Sequence, residues 1–136
     1  MRVIIVGLGV QGCKRRKYAG KDYIASVDPY NKEADYQDLA DVPLNSYDAI
    51  IACTPDKPKI KLIEYALINS KHILMEKPLW ASQDDDIIKL EKLAIKNKIV
   101  CYTAYNHRFE PHFIKMRNLI LSKKLGRIYS CRMFYG

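Results

Sequence analysis

At 136 residues the chain has room for one ordinary domain, which should bury roughly two thirds of its unfolded surface. With 49% hydrophobic and 28% charged residues it is neither disordered nor collagen-like, and no stretch approaches the roughly 18 apolar residues of a membrane span. Lys and Arg number 23 against 15 Asp and Glu, a formal charge of +8 that favours anionic partners without choosing among phosphates, nucleotides, acidic substrates and nucleic acid.

Short apolar runs alternate with longer segments of helical period, the pattern of a parallel α/β sheet. Val3–Val6 predicts the first strand, and glycines then break the apolar run before any signal-peptide core can form. A short first helix ends near Gly20 and carries the basic run Lys14-Arg15-Arg16-Lys17. Tyr23–Val27, closing on Asp28, is the second strand. Between Asp28 and Asp48 there is too little chain for a full helix and strand, so a degenerate crossover is expected, with Ala34–Tyr36 as a vestigial strand.

Asp48–Cys53 predicts a buried strand closed by Thr54-Pro55, and Lys59–Ile68 a helix with Ile60, Ile63 and Leu67 on one face. His72–Met75 forms the next strand and runs into Glu76-Lys77-Pro78. Ser82 reads as an N-cap, with Asp84-Asp85-Asp86 at the positive end of a helix whose stripe is Ile87, Leu90 and Ala94. Ile99–Thr103 is a strand, Pro111–Leu121 a helix, and Ile128–Phe134 alternates as a further strand.

The cysteines, Cys13, Cys53, Cys101 and Cys131, form no CxxC or Cys/His cluster, so no metal site is expected. Cys53 and Cys101 fall in apolar stretches and read as small buried side chains of a reducing, cytoplasmic compartment.

Gly7-Leu8-Gly9-Val10-Gln11-Gly12 is G-x-G-x-x-G. The motif alone is weak, because glycines collect in turns of every kind. Here it ends a strand and opens a helix, and Asp28 closes the following strand, which is the context a dinucleotide fingerprint requires. Gly7 permits the turn, Gly9 leaves space for a pyrophosphate, and Gly12 lets helix and strand approach. Phosphates would face the N–H groups of Val10 and Gln11 at the helix start. The Asp28 carboxylate can accept from ribose hydroxyls and repel a 2′-phosphate, so NAD is favoured over NADP. The basic run that follows is either a phosphate grip or a solvated helix face.

The blocks Tyr47-Asp48-Ala49-Ile50-Ile51-Ala52-Cys53-Thr54-Pro55, His72-Ile73-Leu74-Met75-Glu76-Lys77-Pro78-Leu79 and Tyr105-Asn106-His107-Arg108-Phe109-Glu110-Pro111, with the glycine turn and Asp28, resemble the N-terminal domain of the Gfo/Idh/MocA family. That family takes its name from glucose–fructose oxidoreductase and inositol dehydrogenase. The resemblance implies a Rossmann domain and a Lys77 near the nicotinamide and the substrate carbon, with Pro78 often cis. A buried ammonium there would stabilise a developing alkoxide. It also implies that Thr54, Pro55, Glu76, Asn106 and Arg108 line the cofactor, whereas His107 is a bystander and His72 a packing residue. Two positions depart from the family pattern: Lys59 replaces the usual histidine after Thr-Pro, and Ser70 replaces a glycine.

The expected class is therefore a doubly wound parallel α/β sheet. Residues 1–125 form the dinucleotide-binding domain, and 126–136 the first strand left over from a second α/β domain that is missing here. The expected function is the NAD-binding part of an oxidoreductase moving hydride to or from a sugar- or polyol-like alcohol, inactive by itself. The alternative is a stand-alone nucleotide-binding or regulatory module. Self-association through the C-terminal strand is expected. No membrane contact is expected, and nucleic-acid binding has only the charge in its favour.

Overall fold

A computed structural model of the protein describes residues 1–81 and 84–134, the side chains of 84 and 85 excepted. Two units are distinct, Met1–Ala104 and Tyr105–Gly136. In the first, five strands form one parallel sheet: β1 (Val3–Val6), β2 (Tyr23–Val27), β3 (Ala49–Ala52), β4 (His72–Glu76) and β5 (Cys101–Ala104). Their order is β2-β1-β3-β4-β5, so the chain winds outward from β1 in both directions and leaves a switch point between β1 and β3. The connecting helices are α1 (Val10–Ala19), α2 (Lys59–Ile68) and α3 (Asp84–Asn97). This is the doubly wound class the alternation predicts, and the strands begin or end within one or two residues of expectation.

Both faces of the sheet are covered, which is why β1 and β3 read as unbroken VIIV and AIIA. On one face Ile4, Ile50, Ile73 and Met75 pack with Ile63, Ala66 and Leu67 of α2. On the other, Val3, Ile5, Leu8, Ala34 and Ala49 form a smaller cluster. The buried face of α2 is Lys59, Ile63, Ala66 and Leu67. Leu90 and Ala94 of α3 pack as expected and are joined by Leu93, while Ile87 stays 37% exposed. Ser82, expected as the cap of α3, lies outside the described residues. Ser70 has φ 56°, the left-handed region where glycine is favoured.

The crossover between β2 and β3 is trimmed. It has two short 3-10 turns, Leu39–Asp41 and Leu44–Ser46, where a full crossover would have a helix. The expected strand at Ala34–Tyr36 shrinks to a single bridge, Val27 to Tyr36, closed by Asp28 N to Tyr36 O and Tyr36 N to Ser26 O, both 3.0 Å. Asp35 secures it by accepting from Tyr23 Oη (2.6 Å), Ser26 N (2.8 Å) and Ser26 Oγ (2.7 Å). Leu39, Val42 and Tyr47 then supply the apolar cover for the sheet.

The second unit has a 3-10 turn, Asn106–Phe109, and α4 (Pro111–Leu121), which opens on a proline as helices tolerate. The strand expected at Ile128–Phe134 does not form: these residues join no ladder, with Ile128 46% and Phe134 89% exposed. Alternation marks a segment able to pair, but a strand also needs a neighbour for its N–H and C=O groups. Among the described residues no helix is long and apolar enough to cross a membrane.

Ile50, at 0% exposure on the central β3, should cost about 2–5 kcal/mol when changed to Ala. Ile95→Ala, at a 71% exposed position of α3, should stay within about 0.5 kcal/mol. Urea unfolding of the two variants measures the contrast.

Candidate functional site

Parallel register brings the carboxyl ends of the central strands to one level. Val6 pairs with Ala52 and Val27, and Ala52 with Met75. Gly7, Asp28, Cys53-Thr54 and Glu76 therefore share one edge of the sheet, where ligands of doubly wound folds bind.

The three glycines of the turn differ in what requires them. Gly7 has φ 90°, and a Cβ there would stand 2.7 Å from the Cys53 carbonyl oxygen. At Gly12 a Cβ would overlap the Gly7 carbonyl oxygen, so α1 can approach β1 this closely only without a side chain. Gly9 is different. Its backbone is extended, with φ −67° and ψ −171°, and a Cβ would meet nothing within 4 Å. Neither conformation nor packing explains a glycine at position 9. It leaves open space in front of the first turn of α1, which contains no acidic residue and whose leading N–H groups lack a carbonyl one turn back.

Asp28 faces this turn and holds it. Its Oδ2 accepts from Leu8 N at 2.7 Å, and its Oδ1 from Tyr30 N (2.9 Å) and Asn31 N (3.1 Å). Burial pushes its pKa up, but the three N–H donors outweigh that and leave it below the ordinary carboxylate value. The stability Asp28 contributes is thus complete above that ordinary value and is lost as pH falls through the lowered one. A carboxylate offers about four acceptor positions, so one remains for a ligand.

Thr54 continues the edge, with its Oγ1 buried and without a hydrogen-bond partner among the described residues; Pro55 beside it is exposed. Glu76, at the end of β4, accepts from Arg15 Nε at 2.7 Å, and the pair is completed by a second guanidinium nitrogen. The Lys77–Pro78 peptide is cis. Lys77 was expected to be buried and is exposed, because the turn carries it past the end of the sheet.

The basic run does not act as one patch. Arg15 turns inward to Glu76, while Arg16 lies 5.9 Å from the ring centroid of Tyr23, at the start of β2 and the opposite end of that strand from Asp28. Lys14 and Lys17 are exposed. Helical geometry, with about 100° between successive residues, divides the run.

Lys59 was not expected to be buried, yet it is 1% exposed. Its Nζ donates to Asp56 Oδ1 at 2.8 Å and to the Pro78 carbonyl at 2.5 Å. The signal was present: Lys59 stands four residues before Ile63 on the buried face. Cys53 is held as a thiol, burial and the Glu76 charge pushing its pKa up to about 11 against the opposing effect of Arg15. His72 serves packing, its Nδ1 accepting from Val100 N at 3.0 Å. Asn106 and Arg108 belong to the second unit, in the turn Asn106–Phe109, with the Arg108 guanidinium 5.6 Å from the Phe109 ring centroid. His107 Nδ1 lies 2.6 Å from Glu110 Oε1. No group of His, Cys, Asp and Glu able to hold a metal occurs among the described residues.

The sequence model describing the oxidoreductase family with an NAD-binding Rossmann fold matches residues 14–105. The chain belongs to the Gfo/Idh/MocA oxidoreductase family. Among its relatives, the uncharacterized oxidoreductase YrbE of Bacillus subtilis (strain 168) is 32% identical over 93 residues, 68% of this chain and 26% of YrbE. Inositol 2-dehydrogenase of Rhizobium meliloti (strain 1021) is 31% identical over 84 residues, 60% of this chain and 24% of that protein. Scyllo-inositol dehydrogenase from Lactobacillus casei, solved with NAD(H) and scyllo-inositol bound, superposes with a TM-score of 0.78 at 21% identity, over 93% of this chain and 42% of that one. The family match runs from within α1 to the end of β5, and the chain spans less than half the length of these relatives.

Replacing Gly12 with Ala should destabilise the fold by several kcal/mol, since the added carbon has no room. Gly9→Ser should leave the melting temperature unchanged or slightly raised, because serine is a good N-cap. Thermal melts of the two variants test whether packing constrains position 12 but not position 9.

Proposed function

We propose that this chain binds NAD(H) at the switch point between β1 and β3, as the cofactor domain of an oxidoreductase acting on a sugar- or inositol-like carbinol. The observation that carries this reading is Gly9: a glycine with an ordinary extended backbone and empty space beyond it, at the amino end of a helix. A pyrophosphate is the ligand that such a gap and such N–H groups suit. The other edge residues fit the same ligand. Asp28 is an ionised carboxylate with an acceptor position to spare, and Thr54 has an unpaired buried hydroxyl.

In this reading Gly7, Gly9, Val10, Gln11 and Gly12 surround the pyrophosphate, and Asp28 accepts from a ribose hydroxyl. Thr54, Pro55 and Glu76 line the nicotinamide side. Asn106 and Arg108 are assigned to the cofactor on the family resemblance alone. When bound, NAD(H) supplies the acceptor or donor of hydride. Lys77 would hold the substrate oxygen, take up or return its proton and stabilise charge developing there. Residues 126–136 would lead into the substrate domain of the whole enzyme. The cytoplasm, which keeps thiols reduced, suits the free cysteines. The inositol named for two relatives makes polyols the first substrates to try.

Titration calorimetry should show NAD(H) binding at least about fivefold more tightly than NADP(H), since a like-charge clash near 4 Å costs about 1–4 kcal/mol. Asp28→Ala should narrow the gap and also cost about 1–3 kcal/mol of stability, by leaving backbone donors without their acceptor. Equal binding of the two cofactors would count against this assignment of Asp28.

The 136-residue chain assayed alone should bind NAD(H) without reducing it in the presence of polyols, sugars or nucleotide sugars. Lys77 is the one residue this reading assigns to the substrate, and lost positioning removes several kcal/mol of barrier lowering. Reduced-nicotinamide absorbance that rises with substrate and disappears in Lys77→Ala would show a complete site within the chain. We also propose that the chain self-associates through residues 128–134, whose apolar side chains are exposed and able to pair with another strand. Light scattering should show concentration-dependent dimers, and a monomer at high concentration would exclude this.

A further inference from the structure

The Glu76-Lys77-Pro78 turn is gripped on both sides of Lys77 by cations from different helices. Before it, Arg15 of α1 pairs with the Glu76 carboxylate at 2.7 Å. After it, Lys59 of α2 donates to the Pro78 carbonyl at 2.5 Å across 19 positions of sequence. Lys77 itself is exposed between these two points.

A lysine at position 59 is disfavoured on three counts. It is 1% exposed, and a buried ammonium is costly unless it is fully hydrogen-bonded. It occupies the first residue of α2, the positive end of the helix dipole, where a cation is repelled. It also interrupts an apolar face that Ile63, Ala66 and Leu67 continue. Asp56 offsets part of the cost, at 2.8 Å and 54% exposed, but Asp56 could be satisfied by water. What an apolar side chain at 59 could not do is reach the Pro78 carbonyl.

We propose that Lys59 and Arg15 are positioning residues for Lys77, fixing its backbone beside the nicotinamide while its side chain stays free to follow a proton. This rests on the NAD(H) reading above. The two contacts hold the residue on either side of Lys77, one through a side chain and one through a main-chain carbonyl. The anchor of the reactive ammonium is thereby fixed to both helices that flank the site.

The test compares ADP-ribose, which lacks only the nicotinamide ring, with NADH, using the 136-residue chain in calorimetric titrations. The wild type should bind NADH more tightly than ADP-ribose. Lys59→Met should leave ADP-ribose affinity unchanged and shrink the NADH advantage by about three- to tenfold, the equivalent of one hydrogen bond. In a Lys77→Ala background, Lys59→Met should cause no further loss, because its effect passes through Lys77. If Lys59→Met does not fold, Arg15→Met, at a side chain 25% exposed, carries the same cycle. The proposal is overturned if the NADH advantage survives, if the losses add to those of Lys77→Ala, if ADP-ribose affinity falls equally, or if the wild type shows no advantage for NADH. A wild type that binds neither ligand would remove the NAD(H) reading, and this proposal with it.

Discussion

Among the described glycines, the tightest constraint is the approach of Gly12 to the Gly7 carbonyl. A single methyl group at Gly12 would overlap that oxygen, so α1 can begin directly above the end of β1 only because position 12 has no side chain. From this contact follow the direction of α1, the place where its N–H groups point, and the inward turn of Arg15 toward Glu76. Gly7 meets a matching limit on its other side, against the Cys53 carbonyl. The turn is thus squeezed between helix and neighbouring strand, and the space it keeps open is the space over Gly9.

Around this turn the polar groups are tied to one another before any ligand is considered. Asp28 holds Leu8 N and orders the start of the next loop, so it shapes the glycine turn as well as facing it. Arg15 neutralises Glu76, and Lys59 spans from α2 to Pro78. The bonds from Asp28 to Leu8, Arg15 to Glu76 and Lys59 to Pro78 link segments far apart in sequence. Together they join the ends of β1, β2 and β4 and the start of α2 into one preorganised edge.

The trimmed crossover shows how a fold keeps its sheet with fewer parts. Where a helix and strand would cover the face beside β2, Asp35 accepts three hydrogen bonds and Leu39, Val42 and Tyr47 fill the apolar layer. The substitution works because a parallel sheet needs its faces covered and its polar groups satisfied, and a helix is only one way of meeting those needs.

Local pattern determined a good deal by itself. The runs VIIV and AIIA announced strands buried on both faces, the periodicity of Lys59–Ile68 and Pro111–Leu121 marked helices at the bounds they adopt, and the glycine spacing with Asp28 pointed to the edge where these residues meet. These features repeat within a few residues, so short-range sterics and hydrophobic periodicity suffice to read them. The tertiary structure alone decided the rest: that Gly9 is unneeded for packing, that Lys59 is buried against the Pro78 carbonyl, that Arg15 and Arg16 part company, and that Ile128–Phe134 has no ladder to join. Lys59 and Arg15 depend on partners 19 and 61 positions away, and the others on what the fold places nearby: the Tyr23 ring beside Arg16, open space beside Gly9 and no ladder beside Ile128–Phe134. A side chain's own chemistry says what it can bond to, and only the folded chain brings that partner within reach.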